Sequence, residues 1–471
     1  MKTQYEFYYQ DKECQELRFD IYGYSPPTYY RNRNGERILL QEDYRTVKRY
    51  QEYMDAGFTI LLGQMSSVYS GEEWETSNAK LVLDNAYEAG LKKVILQEDR
   101  LHKLSRTPNG IIGEDKPFKT EAELDAYVEE CIKPYRDHPA LYGLQLCDEP
   151  SYKCFEALGQ IRKSILRVRP GTIVQCNLLP MITLVATHFA YPPNGSLTDR
   201  YKRYLEQFIE VAGFDYIQYD GYPFMHRNPN GIHRLYMRSL QIAAQVCKEK
   251  NVPFYFVAQS TGWIVNGEEA ARKPNEEEIR WQMNLLLGFG VKQLAYFTYW
   301  TKGDADTAGE YFYDGSAMLT REGEKTPLWY YVQAANAEMQ KLAPVILNFD
   351  YEKDAYFLAG GMRSHPWYTE LMDWQKIDNL VSCETDQEVV HIVEMYDKKH
   401  EKVMYKIQNV TDPYYDDFYP DKQKTTVQFA TEYTKADVFE DGQWKTVDMD
   451  KGKYTVQLRA GHAQFILPYK K

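Results

Sequence analysis

Eight apolar runs, each followed by an amphipathic stretch, recur through the first 340 residues, and this alternation constrains the fold more than any other feature of the chain. The runs are Leu17–Tyr24, Phe58–Gln64, Lys93–Gln97, Leu141–Asp148, Thr172–Asn177, Asp215–Asp220, Pro253–Gln259 and Gln293–Trp300. They are nearly continuous in apolar residues, as expected of strands covered on both faces by crossover helices in a parallel sheet. Helix signals fall between them. Asp43–Ala56 stops at Gly57, and a stretch from Asn78 to Ala89 stops at Gly90. Thr120-Glu121-Ala122-Glu123 has capping-box spacing, and Pro327–Leu342 follows the eighth run.

Eight such units predict an α/β fold, a closed (β/α)8 TIM barrel, over residues 1–343. An open doubly wound sheet fits less well, because the first loop is Ser25-Pro26-Pro27-Thr28, with no glycine-rich phosphate fingerprint there and no P-loop elsewhere. After Pro344 the pattern changes to short alternating runs at Val389–Val393, Val403–Ile407, Thr425–Phe429, Tyr454–Leu458 and Ala463–Leu467. These predict a small antiparallel β-sandwich over residues 344–471, without a chemistry motif of its own.

A net charge of −12 repels phosphate backbones, and no basic cluster overrides it, so nucleic acid is not an expected partner. No stretch approaches the roughly 20 apolar residues of a membrane span. The seven cysteines are dispersed, with no Cys-x-x-Cys pair and no histidine at ligand spacing, which predicts free thiols in a reducing cytoplasm. The opening Met1-Lys2-Thr3-Gln4 lacks the apolar core of a signal peptide, although a secreted chain trimmed of its signal would read the same. Neither a metal nor an organic cofactor is implied, and oligomeric state is not legible.

Barrel enzymes keep their chemistry at the C-terminal ends of the strands. There this chain places Glu98 and Asp99, Asp148 and Glu149, Asn177, Asp220, and Gln259 with Ser260. Tyr299 and Trp300 follow the eighth run, with Asp304, Asp306 and Glu310 beyond. Tyrosine is abundant, at 41 residues, and a flat apolar face with a hydrogen-bonding edge suits the C–H face and hydroxyl rim of a sugar. Glycosidic bond cleavage needs a proton donor and a second carboxylate on the opposite face. Each residue also has a local alternative. Asp148 before Pro150 could cap the next helix, Asp220 before Gly221-Tyr222-Pro223 could be a turn residue, and Arg100 could neutralise Glu98 and Asp99. Tyr222, Trp263 and Trp300 could be plain packing.

His138-Pro139-Ala140-Leu141-Tyr142-Gly143 through Asp148-Glu149-Pro150, then Arg272-Lys273-Pro274-Asn275-Glu276-Glu277-Glu278 and Gly288-Phe289-Gly290 before a strand ending in Tyr-Trp, resemble barrel glycoside hydrolases of the clan with β-galactosidases and cellulase-type enzymes. The resemblance spans about residues 15 to 340. It implies Glu149 as general acid/base, with Asp148 where that clan has Asn. It also exposes a departure, since the nucleophilic Glu that ends the seventh strand is here Gln259. Asp220 is then the first candidate for the second carboxylate, with Glu310, Glu268 and Glu269 in reserve. Asp being shorter than Glu, a Glu149/Asp220 pair leans toward the wide gap of an inverting enzyme. Gln259, Asn177 and Gln64 would bind hydroxyls of a carbohydrate substrate beside Asp148 and Glu310, and Trp300, Tyr299, Trp263 and Tyr222 would line or stack on it. A carbohydrate-binding barrel that has lost turnover, and a barrel acting on a non-sugar substrate, are the alternatives.

Overall fold

The computed structural model describes residues 3–33, 36–63, 66–181, 187–189, 195–225, 234–303, 310–358, 377–387, 389–414 and 424–470. Eight parallel strands form the barrel: β1 Asp20–Gly23, β2 Leu61–Leu62, β3 Val94–Glu98, β4 Leu141–Asp148, β5 Ile173–Asn177, β6 Ile217–Asp220, β7 Phe254–Gln259 and β8 Val291–Phe297. They pair as β2-β3-β4-β5 and as β6-β7-β8-β1. Two seams close the ring. The Leu178 N–H donates to the Gln218 carbonyl at 2.9 Å, joining β5 to β6. The Thr59 and Ile60 N–H groups both donate to the Ile21 carbonyl, joining β1 to β2. At that second seam the Tyr53 hydroxyl accepts from the Gly23 N–H at 2.7 Å and donates to the Ile60 carbonyl at 2.9 Å, so a side chain replaces a missing ladder rung.

The helices after the strands are α1 Val47–Asp55, α2 Asn78–Ala89, α3 Glu121–Ile132, α4 Phe155–Val168, α5 Leu197–Glu210, α6 Arg234–Lys250, α7 Glu276–Gly288 and α8 Pro327–Ile346. α8 outruns its expected end at Leu342 and carries Pro344 within its last turns. β2 is shorter than the run that predicts it, and β8 stops at Phe297, before Tyr299 and Trp300.

Along a strand successive side chains alternate between the helix layer and the barrel axis. Leu96, Leu144, Val174 and Tyr219 join the large core under the helices, whereas Ile95, Val257 and Ala295 join Tyr22, Tyr24, Ile60 and Leu62 inside. Gln97, Gln145, Gln175 and Gln218 take the same inward phase on β3 to β6 and are buried. Two residues further along, the inward phase of β5 and β6 carries Asn177 and Asp220 to the barrel mouth.

Nine strands follow: β9 Asp350–Leu358, β10 Leu380–Thr385, β11 Val389–Asp397, β12 Lys402–Asn409, β13 Lys424–Phe429, β14 Lys435–Glu440, β15 Gln443–Asp448, β16 Lys453–Gln457 and β17 Ala463–Tyr469. They form a six-stranded antiparallel sheet, β9-β11-β12-β17-β14-β15, and a three-stranded one, β10-β13-β16, around a core of Val390, Ile392, Tyr405, Ile407, Val427 and Phe429. The sequence pattern predicts five of the nine. The other face of the large sheet lends Val389, Val393, Met395 and Met404 to the barrel's own core. Two short helices near the start, Gln4–Gln10 and Lys12–Glu16, pack against α8, and the first also against this sheet, with the Tyr8 hydroxyl donating to Asp397 at 2.8 Å. No helix among the described residues is long and apolar enough to cross a membrane.

Candidate active site

A cavity of about 290 Å³ opens at the C-terminal face of the barrel, lined by Tyr24, Asp148, Glu149, Asn177, Asp220, Tyr222, Val257, Trp263, Phe297, Lys302 and Phe312. Asp148 is the last residue of β4 and is paired with Asn177 on β5. Glu149 then turns into the left-handed region at φ 51°, held there by its N–H, which donates to the Asn177 carbonyl at 2.8 Å. A non-glycine residue in that region stores backbone strain of order 1 kcal/mol, and such outliers gather at functional sites. The turn lifts Glu149 out of the strand's alternation and brings its carboxyl against Asp220, to which it hydrogen-bonds.

Asp220 is 4% exposed and accepts from the Asn177 side-chain amide at 2.7 Å, with the Tyr222 hydroxyl also bonded to it. Burial and the field of Asp148 push its pKa up, and the bonds from Asn177 and Tyr222 oppose them. Burial of the Glu149 carboxyl, then Asp220 and then Asp148, push the Glu149 pKa up further. Two carboxyls this buried and this close titrate as one pair, and both are held above the usual carboxylate range.

The walls are aromatic. Tyr222 stands edge-on to Trp263 at 5.5 Å and tilted to Phe297 at 5.2 Å, and the Lys302 ammonium lies 4.8 Å from the Phe297 ring centre and 5.3 Å from that of Phe312. A second cavity of about 360 Å³, lined by Ser25, Thr28, Tyr30, Gln97, His102, Arg106 and Trp300 among others, shares Asp148 and Lys302 with the first, so the two make one cleft.

The local alternatives divide. Asp148 does not cap a helix, because α4 starts at Phe155 and neither it nor the short turn Tyr152–Cys154 has a side-chain cap. Asp220 faces the cavity. Glu98, by contrast, caps the helix Asp99–Ser105, pairs with Arg100 at 2.8 Å and accepts from the Tyr135 hydroxyl at 3.0 Å, so its charge is fully engaged.

Three expected positions lie elsewhere. Gln259 is 0% exposed, accepts from the Phe224 N–H, and donates to the Thr261 and Arg272 carbonyls. All these bonds tie loops together, and they engage its amide with backbone groups. Tyr299 is buried edge-on to Tyr53 and Phe58, in the core. Trp300 is 1% exposed, with its indole N–H on the Arg321 carbonyl, and borders only the second cavity. β8 ends before both, so the chain has already turned: Tyr299 leaves the mouth and Trp300 reaches only the second part of the cleft. Glu310 is placed by its backbone alone, opposite Val265, and Glu268 and Glu269 are exposed on the strand Glu268–Ala271. Gln64, Asp304 and Asp306 lie outside the described residues.

Sequence reasoning missed Tyr24, Phe297, Phe312, Lys302 and Arg106. Tyr24 and Phe297 follow or end β1 and β8, the same positional signal that found Asp220. Phe312, Lys302 and Arg106 sit in loops, where no period operates.

Several solved glycoside hydrolases share this fold. One described simply as a glycoside hydrolase aligns with a TM-score of 0.50 at 10% identity, over 97% of this chain and 93% of that one. A family 5 glycoside hydrolase from Bacteroides vulgatus ATCC 8482 aligns with a TM-score of 0.52 at 9% identity, over 96% and 89%. An Anoxybacillus α-amylase aligns at 0.50 and 12% identity, over 98% and 99%. No family model and no curated protein matches the chain. At such identities the likeness is one of fold.

Proposed function

We propose that this protein is a glycoside hydrolase, with Glu149 as the acid and Asp220 as the second carboxylate. The observation that carries the reading is the pair itself: two buried carboxyls, both with proton affinity raised by burial and by neighbouring carboxylates, meet on the wall of one aromatic cavity and supply the acid and carboxylate roles. Glu149 would protonate the glycosidic oxygen. Asp220, held by Asn177 and Tyr222, would attack the anomeric carbon once substrate has separated the two carboxyls, which makes the reaction retaining. Water would then complete hydrolysis with Glu149 as base.

Tyr222 and Trp263 would form the sugar platform, the Asn177 side-chain oxygen, which is buried without a protein partner, would accept a hydroxyl proton, and the second cavity would take a neighbouring sugar unit. Gln259 is occupied below the cavity rather than facing it, which supports a carboxylate moved from strand seven to strand six over one that was lost. The test is hydrolysis of an aryl-glycoside panel followed by the anomer of the first product. Retention is expected, and inversion would overturn the assignment of Asp220 as nucleophile. Turnover by Glu149→Gln equal to that of the intact protein would overturn the acid.

A further inference from the structure

Among the described residues, the one group of His, Cys and acidic atoms spaced for a metal ion lies far from the cleft. Asp11, Cys14 and His400 each bring one ligand atom within 4.8 Å of the others. Asp11 and Cys14 lie one turn apart at the start of the helix Lys12–Glu16, and His400 lies in the turn between β11 and β12. Cys14 is 1% exposed, so its sulfur faces protein rather than water.

An independent feature concerns the histidine. Asp397, nearly fully buried, takes the His400 Nδ1 at 2.6 Å on one carboxylate oxygen, which also accepts from the Tyr8 hydroxyl. Its other oxygen accepts the Lys399 and His400 N–H groups at 3.0 and 3.1 Å. A carboxylate that grips one ring nitrogen fixes the tautomer, leaves the lone pair on Nε2, and raises its basicity, as the outer-shell partners of metal-bound histidines do.

We propose that Asp11, Cys14 and His400 bind one divalent cation, zinc by the chemistry of the set, with water as fourth ligand. A thiolate, an imidazole and a carboxylate together select zinc over calcium or magnesium. Bond lengths of about 2.0 to 2.3 Å place tetrahedral ligands about 3.3 to 3.8 Å apart, so inward movements of about 1 Å close the site. Cys14 gives up its thiol proton to solvent as the metal–sulfur bond forms. The ion clips the helices near the start of the chain to the large sheet of the sandwich. The sequence hid the site because its ligands are separated by 386 residues and show no ligand spacing.

The experiment is titration of the chelator-treated full chain with Co²⁺ and then Zn²⁺, followed by the near-ultraviolet thiolate-to-cobalt absorption and by thermal melting. One equivalent of Co²⁺ should develop the band, and Zn²⁺ should displace it and raise Tm. Cys14→Ser should abolish the band, and Asp397→Asn should keep it while weakening binding about 10- to 100-fold. His400→Gln, which leaves the thiol in place, should weaken binding at least as much and serves if Cys14→Ser does not fold. No band in the intact chain, or one unchanged in Cys14→Ser or His400→Gln, would overturn the proposal.

Discussion

At the barrel mouth three carboxyls, Asp148, Glu149 and Asp220, crowd one cavity, where Asp148 raises the proton affinity of the other two and Asp220 that of Glu149. Under the large sandwich sheet, Asp354, His391 and Lys406 are just as buried, yet each faces a complementary partner. His391 Nε2 meets Asp354 at 3.0 Å and Nδ1 meets the Lys406 ammonium group at 2.9 Å, while Gln241, Tyr351 and Gln408 fill the remaining valences. Buried polar groups that are mutually satisfied hold a structure together. Like charges kept together in a cavity cost stability and serve chemistry. The sandwich cluster also spans two layers, since Gln241 lies on α6 and Asp354 on β9.

Breaking each cluster should therefore give opposite signatures. Asp220→Asn should lower glycoside turnover by roughly 10³-fold or more, the equivalent of about 4 kcal/mol of transition-state stabilisation, while Tm holds or rises because a like charge has gone. A fall in Tm of several degrees would equate the two clusters. Lys406→Met should do the reverse, leaving kcat near its original value but costing about 3 to 5 kcal/mol in denaturant unfolding, because its buried partners lose their donor.

His391 sharpens the contrast through pH. Burial, then Lys406, push its pKa from 6.5 down to about 4. The folded protein thus keeps it neutral while the unfolded chain protonates it below about 6.5. The unfolded state binds the extra proton, so this contribution is complete above pH 6.5 and is lost between about 6.5 and 4, to the extent of about 3 kcal/mol. His391→Gln should flatten that part of the stability profile, and an unchanged slope would place the titration elsewhere. The smallest effect belongs to Asp148→Asn. Removing its field should lower both active-site pKa values, moving the limbs of the kcat/KM profile to lower pH by a fraction of a unit to one unit.

The barrel was legible because its rule is simple: a doubly covered strand must be apolar until it emerges. That rule found β4 and its acid pair, and strand-end position found Asp220. It overran at β8, where Thr298, Tyr299 and Trp300 continue the apolar run although the strand stops at Phe297. In the sandwich, β9 with Glu352, Lys353 and Asp354, and β15 with Lys445, escaped notice because polar residues on an exposed or interface face break the alternation. At the site, strand-end position told which residues approach the mouth but not where their side chains point. Gln259 ends its strand as expected and is then turned aside by three backbone bonds. The left-handed turn at Glu149 and the loop-borne Lys302 and Arg106 depend on tertiary contacts that no local period encodes.

The helices near the start of the chain bind partners made long after them. The backbone N–H groups of Gln4 and Tyr5 donate to Asp437, more than 430 residues away, and Tyr8 reaches Asp397. Contacts of such sequence separation slow the approach to the native state. These contacts can form only once β11 and β14 exist, late in synthesis, although the same helices also pack on α8 of the barrel. Until then the first helices lack their partners in the sandwich, a stage at which unpacked apolar surface is open to capture by other molecules.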